Sequence, residues 1–314
     1  MNCLVTGAAG FIASHLCRRL LKEGFKVVGI DSFTDFYPKK IKERNIKSLR
    51  NDENFKLIAA DLNDLDLKKI LKKTDYVFHH AAQAGVRTSW GDNFIAYLKN
   101  NIEATQNLLE AAKGLNLKKF IYASSSSVYG NCPDLPMSET SPLLPLSPYG
   151  VTKLAAENLC LLYHSNYGVP SISLRFFTVY GPGQRPDMAF HKFFKAIAKG
   201  TEIPVYGDGN QTRDFTYIDD VIDANLTSLK IGKVGEIYNI GGGTQKKLKD
   251  IFPLLENICQ KKVRIVSKER EKGDMLHTLA SIEKARKDLN YLPQIKLRDG
   301  LKEEWLWTKK LYSP

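Results

Sequence analysis

The chain has 314 residues, 43% hydrophobic and 25% charged; it is long enough to bury a sizeable core as one large domain or two modest ones, and its composition excludes intrinsic disorder. Its net charge of +12 is spread through "PKKIKERNIKSLR", "DLKKILKKTD" and "QKKVRIVSKEREK" without interleaved aromatics, which reads as solvated helix faces with some steering of an anionic substrate and excludes nucleic acid as the expected partner. No apolar run reaches about 18 residues, and the five cysteines are odd in number without CxxC spacing, so neither a membrane partner nor a disulfide framework nor a zinc site is expected.

In chain order, "MNCLVTGAAGF" starts an apolar strand almost at Met1, with no basic region, long apolar stretch or cleavage site ahead of it; a cytoplasmic location is the expectation. "FIASHLCRRLLKEG" has apolar residues at helical spacing, "FKVVGID" is again a strand, and "FKLIAADL" and "DYVFHHAA" follow. His79 and His80 close that last run without a second ligand cluster, so no metal is expected. After the long helical stretch "NFIAYLKNNIEATQNLLEAAK" comes the strand "KKFIYASSSSVYG". Strand and helix in alternation predict an α/β fold with a doubly wound parallel (Rossmann) sheet covered on both faces. Later, "VPSISLRFF" reads as one more sheet strand, while "TEIPVYGDG", "GEIYNIGGG" and "KKVRIVS" are short strands among helices. The expected division is a dinucleotide-binding domain over residues 1–180, to which later segments return, and a smaller, mainly substrate-binding α/β lobe over 181–314.

"TGAAGFIA" lies where the first strand turns into the first helix. Gly7 permits the tight turn, Gly10 lets the backbone approach a pyrophosphate, and Phe11 and Ile12 open the helix whose free N–H groups would face that anion. Ala13 replaces the commoner third glycine and still allows close packing. Asp31, 24 residues beyond Gly7, ends the second strand, where a carboxylate accepts hydrogen bonds from ribose hydroxyls and repels a 2′-phosphate. NAD is therefore the expected cofactor rather than NADP. Asp61, with Leu62 beside it, suits an adenine-edge contact, and equally a solvated loop carboxylate.

In "SPYGVTK", Ser147 and Pro148 are helix-start residues, and Tyr149 and Lys153 stand at i and i+4 on one face. An ammonium beside a phenol favours the phenolate, which would make Tyr149 a base near neutral pH. "ASSSSVYG" supplies hydroxyls at a strand end, where open α/β sheets bind ligands.

Tyr149, Lys153 and these serines, in one chain with "HHAAQAGVRTSWG", "NNIEATQNLLEA", "SLRFFTVYGPGQRPDMAF" and "YGDGNQTRDFTYIDD" in that order, resemble the sugar-nucleotide branch of the extended short-chain dehydrogenase/reductase superfamily over essentially the whole length. The resemblance implies that Ser125 is the active-site hydroxyl on the substrate's 4-oxygen, that Ala82 and Gln83 lie along the cofactor, and that Asn101 is a structural asparagine near it. It places Arg185 near the sugar nucleotide, Arg213 on the diphosphate, Val205, Tyr206 and Gln211 at the uracil and ribose, and Asp274 at the ribose. Arg213 has the plainer reading of an arginine paired with Asp214 or Asp219. Arg87 either reaches the phosphates or sugar or pairs with Asp92.

Within that branch, Thr178 after "RFF" resembles the uronate-handling members, where relatives acting on neutral sugars carry asparagine. Ser125, Ser126, Ser127 and Thr178 would surround a C5 carboxylate with neutral donors, each bond to the charged group contributing about 1.5 to 3 kcal/mol. The implied reaction is NAD-dependent 4-epimerisation of a UDP-hexose through a 4-keto sugar, with UDP-glucuronate and UDP-galacturonate as the expected pair. UDP-glucose or UDP-N-acetylglucosamine is the alternative substrate. A decarboxylase is disfavoured because Ser127 stands where such relatives carry glutamate, and a non-catalytic NAD-binding protein because Tyr149 and Lys153 are both present. The family also implies a homodimer through a four-helix interface built from "WGDNFIAYLKNNIEATQNLLEAA" and "SPYGVTKLAAENLCLLYHSNYG", whose extra apolar residues could equally be internal core.

Overall fold

The structure, a computed structural model, describes residues 1–312. Six strands of the first 176 residues are β1 (Asn2–Thr6), β2 (Lys26–Asp31), β3 (Phe55–Ala59), β4 (Tyr76–His79), β5 (Lys119–Ser125) and β6 (Ser171–Phe176), short apolar runs of the kind that is buried on both faces except at the sheet-edge strand β3. Six further strands follow: β7 (Thr178–Tyr180), β8 (Ile203–Tyr206), β9 (Thr212–Tyr217), β10 (Ile237–Ile240), β11 (Gln245–Lys247) and β12 (Ile265–Lys268). The main sheet has the order β10-β6-β5-β4-β1-β2-β3, and every pairing in it is parallel. Because β1 lies between β2 and β4, the chain reverses its winding there, and a crevice opens at the carboxyl ends of the strands.

One face of this sheet buries Val5, Phe78, Ile121 and Leu174 in a core shared with Leu16 and Leu20 of the helix Phe11–Lys22 and with Val221 and Ile222 of the helix Ile218–Ile231. The other face buries Leu4, Val77 and Phe120 with Leu108 and Leu109 of the helix Ala104–Ala112 and with Ala156 and Cys160 of the helix Pro148–Tyr167. Residues 218–240 thus return to the main sheet, β10 pairing with β6. The remainder of the second half forms a three-stranded sheet of order β11-β9-β7, the parallel pair β8 and β12, and the helices Ala189–Lys199, Leu248–Cys259 and Leu297–Tyr312. Among the described residues, no helix is long and apolar enough to cross a membrane, and no group of three or more His, Cys, Asp or Glu could hold a metal.

The long helical stretch read from the sequence as continuous is interrupted. Phe94–Tyr97 is α-helical, Leu98–Glu103 makes a π-helical turn, and α-helix resumes at Ala104. Such turns insert one extra residue per turn and are frequent at functional sites. Here the inserted turn contains Asn101.

Candidate active site

The crevice is a cleft of about 410 Å³ lined by both halves of the chain. At its floor, Gly7 has φ +70°, and a Cβ there would stand 2.9 Å from the Ala81 amide nitrogen, so the turn admits only glycine. Asp31 holds the loop after it: one carboxylate oxygen accepts from the Ala9 N–H at 3.0 Å, the other from the Phe33 N–H at 2.8 Å. Lys42, which sequence reasoning missed, is buried beside Asp31 at 4.0 Å and donates to the Thr34 carbonyl at 2.8 Å. Its only sequence signal was a lysine within a basic run. Asp61 accepts from the Asn63 N–H at 2.9 Å. Gly7, Gly10, Phe11, Ile12, Asp31, Asp61, Leu62, Ala82 and Gln83 all line the cleft.

The helix bearing Tyr149 and Lys153 begins as its sequence dictates: the Ser147 hydroxyl accepts from the Gly150 N–H at 3.1 Å, and Pro148 occupies the first turn, where its missing N–H costs nothing. Gly150 is required by a close approach, since a Cβ would lie 2.6 Å from the Ser127 carbonyl oxygen. Tyr149 and Lys153 both line the cleft. Burial pushes the Tyr149 phenol up, opposed by the Arg185 guanidinium and a hydrogen bond with Ser125. The Arg185 guanidinium thus adds a second cation to the one that the i, i+4 spacing supplies in Lys153. Burial lowers Lys153 itself to about 7, and its ammonium sits over the Tyr122 ring, 4.4 Å from the centroid. A buried ammonium is costly to desolvate, which is why the shift is downward.

Two buried networks fix this helix. Glu157, one turn beyond Lys153, accepts from Arg175 Nε at 3.0 Å and Nη2 at 2.6 Å and from the Ser124 hydroxyl at 2.6 Å, with both charged side chains 1% exposed. It ties the helix to β5 and β6. The π-helical turn supplies the second tie: Asn101 accepts from the Gln83 N–H at 2.7 Å and donates to the Gln83 carbonyl at 3.1 Å and to the Thr152 hydroxyl at 2.9 Å. Asn101 is thus turned onto the Gln83 backbone and the Thr152 hydroxyl and does not line the cleft, as befits a structural asparagine. Tyr97, also missed, accepts from the Thr88 hydroxyl at 2.7 Å, shares its own proton between the Ala84 and Gly85 carbonyls, and packs edge-on to Tyr149. An arginine inside the apolar run "SLRFF" and a glutamate four residues after Lys153 were the available signals for the ion pair. The π turn left none.

Beside Tyr149 at the end of β5, the Ser125 hydroxyl accepts from the Ser127 N–H and donates to the Ser127 hydroxyl, both at 3.1 Å. Ser125, Ser126, Ser127, Thr178, Arg185, Arg213 and Asp274 line the cleft. Arg185 is held by Asp187 through two bonds, Nε and Nη2 each 3.0 Å from a carboxylate oxygen. Arg213 pairs with neither Asp214 nor Asp219; its guanidinium donates to the Thr212 carbonyl at 2.8 Å and the Leu276 carbonyl at 3.2 Å, while Asp214 is buried accepting from the Gly242 and Ala280 N–H groups. Arg87 pairs with Asp274 at 2.7 Å rather than with Asp92, and stacks on Tyr206, 4.1 Å from the ring centroid. Arg87, Tyr206 and Gln211 stand outside the cleft lining, Gln211 donating to the Tyr206 carbonyl at 2.9 Å. Val205 is 4% exposed, because alternation along β8 turns its side chain into the core.

Comparison with known proteins adds the family. Residues 3–241 match the model of the NAD dependent epimerase/dehydratase family. The chain belongs to this family. It is 48% identical to UDP-glucuronic acid 4-epimerase from Bacillus cereus, whose structure in complex with UDP-glucuronic acid and NAD superposes with a TM-score of 0.97 over 99% of this chain and 100% of that one. It is 41% identical to a UDP-glucuronate 4-epimerase of Thermodesulfobacterium geofontis over 98% of this chain and 96% of the relative. It is 44% identical to a Bacillus subtilis protein named an uncharacterized UDP-glucose epimerase, over 100% and 99% of the two chains.

Proposed function

We propose that this family member interconverts UDP-glucuronate and UDP-galacturonate by NAD-dependent epimerisation at C4. The observation that carries the reading is the set of Ser125, Ser126, Ser127 and Thr178 lining one cleft with Tyr149, in a chain alike over its whole length to a UDP-glucuronic acid 4-epimerase. The floor fits the cofactor: the Gly7 position is a cradle that a Cβ would fill, and Asp31 lines the cleft beyond it. Gly7, Gly10, Phe11 and Ile12 would hold the pyrophosphate, Asp31 with Lys42 the adenosine ribose, and Asp61 with Leu62 the adenine. Bound NAD supplies the hydride acceptor and donor at C4. Tyr149 takes the 4-hydroxyl proton and later returns it, while Ser125 orients that oxygen. The 4-keto uronate is a β-keto acid, which loses CO₂ when its carboxylate bond stands perpendicular to the carbonyl plane. Neutral donors from Ser127 and Thr178 would keep that bond nearer the plane while the sugar turns over. Arg213 would meet the diphosphate, and Asp274 with Arg87 the ribose side of the nucleotide.

The same reading assigns residues 1–180, with 218–240, to cofactor binding and the rest of the second half to the sugar nucleotide. Ile95, Val151, Leu162 and Tyr167 are exposed apolar side chains on the two helical stretches expected to pair, and support a homodimer. Four of the five cysteines are buried free thiols, which suits a reducing, cytoplasmic setting.

Purified protein with NAD⁺ and UDP-glucuronate should give UDP-galacturonate at unchanged mass, followed by NMR and mass spectrometry; loss of CO₂ to a UDP-pentose would reject the restraint ascribed to Ser127 and Thr178. The second reading, epimerisation of UDP-glucose, is favoured by one feature, the internal neutralisation of Arg185 by Asp187. Turnover of UDP-glucose alone would establish it.

A further inference from the structure

Arg185 lines the cleft and acts on the Tyr149 phenol, and its charge is already answered. Asp187, two residues on, takes Nε and Nη2 in a bidentate pair, leaving the Nη1 edge as the free face of the guanidinium. Both side chains line the cleft and are only partly exposed, 23% and 32%. We propose that Asp187 is a specificity-determining and positioning residue: it fixes the plane of Arg185 and tempers its charge, and so sets how strongly the sugar pocket prefers a C5 carboxylate over a neutral hydroxymethyl group. The inference rests on the uronate reading above.

The loop's own construction argues that Asp187 is there for Arg185 and not for the fold. Residues 181–188 are pinned at other points: the Gly181 N–H donates to the buried Glu304 carboxylate at 2.8 Å, the Pro182 carbonyl meets the His15 ring at 2.8 Å, and Gln184 bridges the Val179 carbonyl and the His191 N–H. The Met188 N–H closes the turn on the Arg185 carbonyl at 3.1 Å. None of these bonds uses the Asp187 side chain. A guanidinium left without its carboxylate would present a full positive charge to the sugar, binding a uronate more tightly and leaving a neutral hexose unaffected. The pair as built moderates that attraction.

The same pair reaches the base. The charged and titratable groups around it are Tyr37, Tyr97, Tyr149, His191 and Lys192; at Tyr149, Arg185 lowers the phenol while Asp187 and Tyr97 raise it. Removing the Asp187 charge therefore makes Tyr149 easier to ionise.

The test measures dissociation constants of UDP-glucuronate and UDP-glucose for the NAD-loaded protein by calorimetry, beside kcat against pH on whichever sugar turns over, for wild type, Asp187→Asn and Asp187→Ala. Asp187→Asn keeps an oxygen acceptor for the fork and removes the charge. Its preference for UDP-glucuronate should rise about three- to fivefold, the size of a partly exposed ion pair, and the acid limb of kcat should move to lower pH. Asp187→Ala also frees the guanidinium plane, so its kcat should fall below that of Asp187→Asn on the same sugar. An unchanged binding ratio and acid limb in folded Asp187→Asn would overturn the inference, as would equal losses in both variants accompanied by equal drops in Tm. Binding ratios are read whether or not the uronate is turned over, so failure of the uronate reading, seen as no UDP-galacturonate from the wild type, is distinguished from failure of the role given to Asp187.

Discussion

On the floor of the cleft, Tyr149 and Lys153 stand on a helix clamped by the Arg175–Glu157 pair, both side chains 1% exposed; at its roof, the lining residue Asp274 pairs with Arg87 just outside the cleft, the side chains 23% and 36% exposed. The floor is a set of closed networks. Glu157 accepts three bonds, and Asn101 uses every polar atom on Gln83 and Thr152. The roof is a stack of one arginine on one tyrosine and a single ion pair in contact with water. Proton transfer requires heavy atoms held within hydrogen-bond reach of each other, whereas a nucleotide must enter and leave, so stiff links belong below and weak links above.

The comparison can be broken most sharply at the base itself. Tyr149→Phe should lower kcat by about 10²- to 10⁴-fold while UDP binding measured by calorimetry stays near wild type; full activity would remove Tyr149 from the mechanism. Next in size is the clamp. Glu157→Ala leaves the Arg175 guanidinium buried and unpaired, which should cost about 3–5 kcal/mol of stability in denaturant titration, and a loss under about 1 kcal/mol would show that the floor is not held as described.

Lys153 sharpens the floor's cost. Its folded pKa of about 7 lies below the unfolded value, so between pH 7 and about 10 the unfolded state binds a proton that the native state lacks, and stability rises with pH across that window. The penalty is fully present at pH 7 and below and gone above about pH 10. In the absence of cofactor, Lys153→Met should therefore melt higher than wild type at pH 6–7, with the gap closing by pH 10, although turnover is lost; a gap independent of pH would contradict the buried ammonium. The smallest effect belongs to the roof. Asp274→Asn should raise the KM for the sugar nucleotide by no more than about fivefold, about 1 kcal/mol for an exposed pair, with Tm unchanged; a drop in Tm like that of Glu157→Ala would erase the distinction between floor and roof.

Much of the floor was legible because local chemistry dictates it. A positive φ at Gly7, a serine cap and a proline ahead of Tyr149, and i, i+4 spacing to Lys153 are properties of a few consecutive residues, and the alternation of apolar runs with helical stretches implies the parallel sheet that brings them to one edge. The roof was less legible. Arg87 and Asp274 are 187 residues apart, and nothing in the local pattern of either distinguishes a partner at that separation from the nearer Asp92.

What the sequence determined by itself was therefore whatever rests on periodicity, turn geometry and residue type: the doubly wound sheet, the phosphate-facing glycine turn, the Tyr149–Lys153 helix and the hydroxyl-rich strand end. What only the tertiary structure decided was charge pairing and burial. It brought Arg185 to the Tyr149 phenol, answered Arg185 with Asp187, spent Asn101 on the backbone through a π-helical turn, and buried Lys42 beside Asp31. Electrostatic strength depends on distance and on the depth at which a charge is buried, and neither is encoded in a local run of residues.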